Sequence, residues 1–491
     1  MKKKFLSMFL TLVMVVEVLP KVGLIVNADS GVIIVDKIMY VLNEDNNEAT
    51  VKEPDDKSLE KLRIQEKIVD KDGVEYVVRN INDGAFAHCK NLKTVEIPDS
   101  VTNIGSSAFA WSALETITIP KGVTTIEAGT FTQCRDLENI IIPTGVTNIE
   151  ENAFSFCENL ENIAIPDSVV TIGKNAFMYS ALLSAVLPEG VTEISQGIFS
   201  DCCNLKSVKL SDSATAIGDK AFSGCKKLED IKIPSSVTAI GRSAFMECEN
   251  LKEIVIPNGV TTIEISTFEG CKLLGKVSIP YDVTFIGDYA FSDCKALRYI
   301  GTPNSVTSIG RSVFKGCENL REIQISKEIT TIEESTFEDC KELISVYNER
   351  RDLHYSRRNR NVCILSGVTV IKDRAFFGCK SLRNLYLGKN VTTIGKAAFK
   401  DCSNLRLGNS DMPIYASSGG MLCEVTTVEE STFEGCKSLQ TLIIPKSVRK
   451  VRNKAFSGCE NLRTLIIWSS DIIIEPHAFD FGNLLIQIHT A

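Results

Sequence analysis

Seventeen cysteines and four histidines are the residues of this 491-residue chain best suited to chemistry. In an exported protein cysteines form disulfides, and a Cys/His cluster holds zinc. Their spacing favours neither. Fourteen cysteines stand three residues after a phenylalanine: Cys89, Cys134, Cys157, Cys202, Cys225, Cys248, Cys271, Cys294, Cys317, Cys340, Cys379, Cys402, Cys436 and Cys459. Successive members are mostly 23 residues apart, which is not the short step of a zinc knuckle, and His88, His354, His477 and His489 lie far from one another. Equivalent side chains in stacked coils hold their Cβ atoms about 4.8 Å apart, whereas a disulfide needs roughly 3.8 Å. The series therefore reads as a ladder of buried, unbridged thiols acting as small apolar groups. No Ser-His-Asp set, phosphate loop or carboxylate pair stands out either. The expectation is no catalytic residue, no metal, no cofactor and no enzyme.

The element that positions these cysteines is a repeat. Its marker is Phe86, Phe109, Phe131, Phe154, Phe177, Phe199, Phe222, Phe245, Phe268, Phe291, Phe314, Phe337, Phe376, Phe399, Phe433, Phe456 and Phe479. A fixed period of this size means a solenoid of about 17 coils of 22–23 residues, each burying its apolar side on the next. One coil runs Leu228, Ile231, Ile233, Pro234, Val237, Ile240, Gly241, Ala244, Phe245. The first three mark a short strand with one buried face, proline ends it, and Val-Thr-x-Ile makes a second extended piece. The residue after that isoleucine is glycine in seven coils and glutamate in six, so the turn there does not demand a positive φ. Two coils are a residue shorter and carry Ser112 and Ser180 in place of the cysteine, which fits a tight return with a small side chain facing inward.

The repeat Leu-x-x-Ile-x-Ile-Pro-x-x-Val-Thr-x-Ile-Gly-x-x-Ala-Phe-x-x-Cys, recurring in register from about residue 78 to 488, resembles the BspA-type leucine-rich repeat. The resemblance implies a solenoid of leucine-rich repeats with a parallel β-sheet on the concave face, short extended or β segments opposite, and few or no α-helices. It also implies a bacterial surface or secreted protein of a host-associated microbe, an adhesin-like binder of host extracellular proteins such as fibronectin, or of other cells. No binding residue carries over position by position. A passive structural component of the cell envelope is the alternative.

Around the array, residues 1–28 read as a signal peptide: Lys2, Lys3 and Lys4 precede the apolar run Phe5 to Val18, broken only by Glu17, and Val26 and Ala28 mark the cleavage site. The localisation expected is secreted or cell surface, with no integral membrane span after cleavage. Losing its four lysines and one glutamate takes the formal charge from −8 to −11, which disfavours nucleic acid as a partner. Residues 29–77 read as an acidic, β-rich N-terminal cap with a hairpin around Asn46 and Asn47. The repeats then divide into 78–343, 368–405 and 425–491, separated by an Arg-rich hairpin insert at 344–367 and a second hairpin insert at 406–424. The first insert carries Arg350, Arg351, Arg357, Arg358 and Arg360, and nearby strand positions carry Tyr299, Tyr347 and Tyr386. Arginine and tyrosine are enriched at protein interfaces, so these eight residues are the candidate partner-binding patch. The final coil shows no polar cap, which leaves self-association through the C-terminal end open.

Overall fold

The computed structural model describes residues 31–347, 362–365, 367–387, 390–406, 424–468, 471–479 and 485–488. Among them there is no helix. The chain winds as a solenoid whose coils have three sides, and on each side consecutive coils are joined by backbone hydrogen bonds.

On the first side, the Leu-x-x-Ile-x-Ile segments form parallel strands, as where Glu253–Val255 pairs with Lys276–Ser278. Leu251 and Ile254 point inward and are buried, while Glu253 and Val255 face out. Proline then opens a turn closed by the Val237 amide donating to the Pro234 carbonyl at 3.1 Å. On the second side, two-residue strands such as Thr262–Ile263, Phe285–Ile286 and Ser308–Ile309 pair in parallel, each with its isoleucine buried.

The third side is built from turns that still pair like a sheet. Around Phe245, the amides of Ser243, Phe245 and Glu247 donate to carbonyls of the next coil at 2.9, 2.9 and 2.7 Å. The amides between them, Ala244 and Met246, close short turns within their own coil. This alternation requires left-handed backbone two residues before and two after the phenylalanine, where Ser243 has φ 53° and Glu247 φ 57°. The same pair recurs from coil to coil, for example at Ser312 (55°) with Gly316 (70°). The glycine after the isoleucine of the second side is not left-handed. Gly241 is needed for another reason: a Cβ there would run into Asp219, whose carboxylate accepts the Arg242 amide at 2.7 Å.

Inside, the repeat phenylalanines form one unbroken stack from Phe86 to Phe479, with successive ring centroids 5.0 to 5.8 Å apart and planes 3° to 25° from parallel. Centroids farther apart than the coil spacing mean offset stacking, the arrangement that ring quadrupoles favour. The stack crosses both long gaps in the period, since Phe337 meets Phe376 and Phe399 meets Phe433. Ahead of the repeats, Ile38–Asn43 and Glu48–Pro54 form an antiparallel hairpin around Asn46 and Asn47, and Glu48–Pro54 pairs in parallel with Glu75–Ile81.

Each cysteine thiol reaches back one coil. Cys248 donates to the Phe222 carbonyl at 3.2 Å and Cys317 to that of Phe291 at 3.1 Å, and the pattern holds from Cys134 to Cys459. None of the fourteen repeat cysteines or Cys203 is in a disulfide, and of these all but Cys203 are buried. Ser112 and Ser180 in the short coils are buried as well and lie 3.4 and 3.3 Å from the thiols of Cys134 and Cys202. Burial pushes the Cys134 thiol up to about 11 and Cys202 to about 12, which suppresses the reactive thiolate. Alkylation of the native protein at neutral pH, read by peptide mass mapping, should therefore modify Cys203 and leave the fourteen repeat cysteines unlabelled. Labelling of Cys248 or Cys317 at a comparable rate would show that the ladder is not packed as described.

Candidate interaction surface

On the first side, Tyr299–Gly301, Glu322–Gln324, Ser345–Tyr347, Val362–Leu365 and Asn384–Leu387 form one five-stranded parallel sheet. Its register places Gly301, Gln324, Tyr347, Ile364 and Tyr386 in a single column across the strands. Tyr299 lies two residues before Gly301 and is 51% exposed. Its hydroxyl sits 3.1 Å from where a Cβ on Gly301 would be, so the absent side chain lets the phenol lie across its own strand toward the column. Tyr347 is half-buried. The fold thus brings the backbones of Tyr299, Tyr347 and Tyr386 onto one sheet. Arg350, Arg351, Arg357, Arg358 and Arg360 lie outside the described residues, as does 407–423, most of the second insert.

The first insert alters the winding. Ser345–Tyr347 and Val362–Leu365 follow one another along the chain yet are neighbouring parallel strands on the same side, with Tyr347 opposite Ile364. The second side keeps its ordinary succession there, Thr331–Ile332 pairing directly with Val370–Ile371. The segment therefore adds a strand to the first side and none to the second. The described ends of the 344–367 segment are adjacent parallel strands rather than antiparallel arms.

Across from this sheet, an ion cluster joins the coils on either side of the insert. The Glu338 carboxylate, 6% exposed, accepts from Arg374 Nε at 3.0 Å and Nη2 at 2.7 Å, and pairs with Lys315 Nζ at 3.3 Å. The Arg374 guanidinium also lies 4.0 Å over the Phe377 ring, a cation–π contact. Two cations hold one largely buried carboxylate, so the cluster acts as a clamp between coils rather than as a reactive centre.

One surface had no forecast. Two residues after the repeat phenylalanine, exposed Trp111 stacks on His88 at 5.9 Å, and exposed Tyr179 stacks on Phe156 at 4.7 Å. All four have φ between 56° and 61°, a conformation that bulky side chains rarely adopt. Farther along, the same position alternates acid with glycine: Asp201, Gly224, Glu247, Gly270, Asp293, Gly316. The cause is steric, since a Cβ on Gly224 or Gly316 would strike the carboxylate of Asp201 or Asp293 in the preceding coil. The sequence signal was present, in the residue type two places beyond each repeat phenylalanine.

Elsewhere on the first side, the coil at 162–164 forms no strand between Asn139–Ile141 and Ser184–Val186, leaving an open depression of about 480 Å³ lined by Ile163, Ala164, Val186 and Leu187 among others. No group of three or more His, Cys, Asp or Glu side chains is placed to hold a metal among the described residues.

The model of the BspA type leucine rich repeat region matches residues 65–184, 170–298, 266–355, 350–409 and 421–490. Among solved structures, the chain is similar to a leucine-rich repeat protein from Bacteroides ovatus, with 26% identity over 93% of this chain and 99% of that one, at a TM-score of 0.56. It is also similar to a leucine rich cell surface protein from Faecalibacterium prausnitzii, at 23% identity, 96% of each chain and a TM-score of 0.36. A third is the T. pallidum leucine rich repeat protein, at 28% identity over 44% of this chain and 88% of that one, with a TM-score of 0.33. No curated protein matches the sequence.

The clamp makes a pH prediction. Burial works to raise the Glu338 carboxyl, but Arg374, Ser335 and Lys315 outweigh it and hold the group at about 2, below its ordinary 4.5. A carboxyl depressed by folding stabilises above its unfolded value and loses that contribution as pH falls toward the folded one. Glu338→Gln should cost about 2–3 kcal/mol at pH 7, and the gap from the wild type, read from denaturant midpoints, should narrow between pH 4.5 and pH 2. A gap that stays constant over that window would contradict the assignment.

Proposed function

The chain belongs to the BspA-type leucine-rich repeat family, and from that premise we propose that it is an exported protein, secreted or held at the cell surface, that works as an adhesin-like binder of extracellular host or microbial proteins. In this reading residues 1–28 are the export signal, 29–77 the cap, and 344–367 and 406–424 inserts on the repeat scaffold. The observation that carries it is the tyrosine-bearing sheet. Tyr299 is 51% exposed on this sheet, and Tyr347 on the same sheet leads into a segment with five arginines. Rigid aromatic side chains with nearby arginine are the composition of interface hot spots. That no helix among the described residues is long and apolar enough to cross a membrane accords with a protein anchored, if at all, by other means.

The test is binding of the purified chain to immobilised fibronectin and to other host matrix proteins by surface plasmon resonance. Where the wild type binds, Tyr299→Ser with Tyr347→Ser should weaken the affinity about tenfold or more. Replacing Arg350, Arg351, Arg357, Arg358 and Arg360 by Ser should do the same. Unchanged affinity in both variants would place binding elsewhere, and no binding to any extracellular protein would remove the reading.

A further inference from the structure

We infer that the entry edge of the tyrosine-bearing sheet recognises an acidic, extended polypeptide segment through a column of arginines, which specifies a partner for the binding role proposed above and rests on it. The column is formed by the residue that follows the inward leucine of each coil. In adjacent coils it places Arg298 beside Arg321, whose amide donates to the Arg298 carbonyl at 3.0 Å, and then Ile344, whose amide donates to the Arg321 carbonyl at 2.9 Å. Past the added strand it places Arg383 beside Arg406, joined the same way. Four of the five described positions from Arg298 to Arg406 are thus arginine.

All four side chains are exposed, and none forms an ion pair or side-chain hydrogen bond among the described residues. This is unlike the same column elsewhere. Lys93 pairs with Glu115 at 2.9 Å, and Lys252 with Glu229 at 2.9 Å. Like charges directly opposite on neighbouring strands repel, and in a chain of net charge −8 counter-charges are abundant yet not placed here. Among the described residues, Glu322 is the one carboxylate at the outward positions of these strands, and it forms no ion pair there. An unneutralised basic strip on an acidic protein is complementary to an anionic partner.

Two details choose the partner. The residues are arginine where paired positions use lysine, and the guanidinium fork grips a carboxylate with two hydrogen bonds. Beside them, exposed Tyr299 offers ring surface that a polypeptide fills with apolar side chains set among its carboxylates. A sulfated sugar chain carries no such apolar side chains. The chain's own Glu115, Glu138 and Glu161, which occupy the same column in three consecutive coils, make a second copy the competing occupant.

The experiment measures binding of a fluorescein-labelled peptide of Glu-Glu-Val repeats to the full chain by anisotropy, with a Gln-Gln-Val peptide as control. One variant carries Arg298, Arg321, Arg383 and Arg406→Ser. A second removes equal charge from exposed positions elsewhere, Lys174, Lys220, Lys226 and Lys232→Ser. The arginine variant should lose about 30-fold in affinity or more, while the lysine variant stays within about threefold and the Gln peptide does not bind. Equal losses in the two variants, or none in the first, overturn the inference. So does heparin binding that needs the arginines when peptide binding does not, and so does a wild-type dimer in sedimentation that the arginine variant abolishes. Host-protein binding that survives in the arginine variant would sink this inference alone and leave the binding role standing.

Discussion

Every coil has to return its phenylalanine ring onto the ring before it, and the rest of the molecule follows from that demand. A coil one residue off would displace its whole set of inward groups. The two 22-residue coils meet the demand by giving up a residue and replacing the cysteine with Ser112 or Ser180, and the stack continues through Phe109 and Phe177 undisturbed. The two long gaps in the period leave it intact as well, since Phe337 still reaches Phe376 and Phe399 still reaches Phe433. Backbone pairing on all three sides enforces the register, and the buried side chains make it the only arrangement that covers them.

Once the coils stand in register, each surface position becomes a column, and neighbours in a column constrain one another. Gly241 is tied to Asp219, and Gly224 to Asp201, because a carboxylate in one coil occupies the space of a Cβ in the next. The thiol of Cys248 and the carbonyl of Phe222 are tied in the same way. Local chemistry therefore reads in pairs of coils. What escapes the pairing is informative, and among the described residues Arg298, Arg321, Arg383 and Arg406 escape it.

Much of the fold was legible in the chain itself, for a physical reason: in a solenoid the long-range contacts are between equivalent positions, so period alone supplies them. The inward roles of Phe245 and Cys248, the strand that precedes proline in coils such as Glu253–Val255, and the small inward serines could be read directly; in the coil before Pro234 the expected strand is reduced to a single bridge between Ser207 and Asp230. The third side could not. Its left-handed residues include Ser243, Glu247, Trp111 and Lys220, types with no common preference for that conformation, so composition carried no signal. The added strand at Val362–Leu365 was hidden because its pairing with Tyr347 falls outside the repeat period. For the candidate surface, counting in register placed the three tyrosines on one sheet, but the unpaired state of Arg298 and Arg321 appears only when the neighbours that would neutralise them are located.

Amide hydrogen exchange at the repeat phenylalanines tests the central claim most directly. Each of these amides sits in a turn, which in most proteins exchanges readily. Here Phe109, Phe245 and Phe433 donate to the next coil at 2.9, 2.9 and 2.8 Å, so their amides should be protected as strongly as those of buried strands such as Ile254. Exchange of the phenylalanine amides at the rate of open loops, with the strands protected, would contradict a three-sided stack held in register.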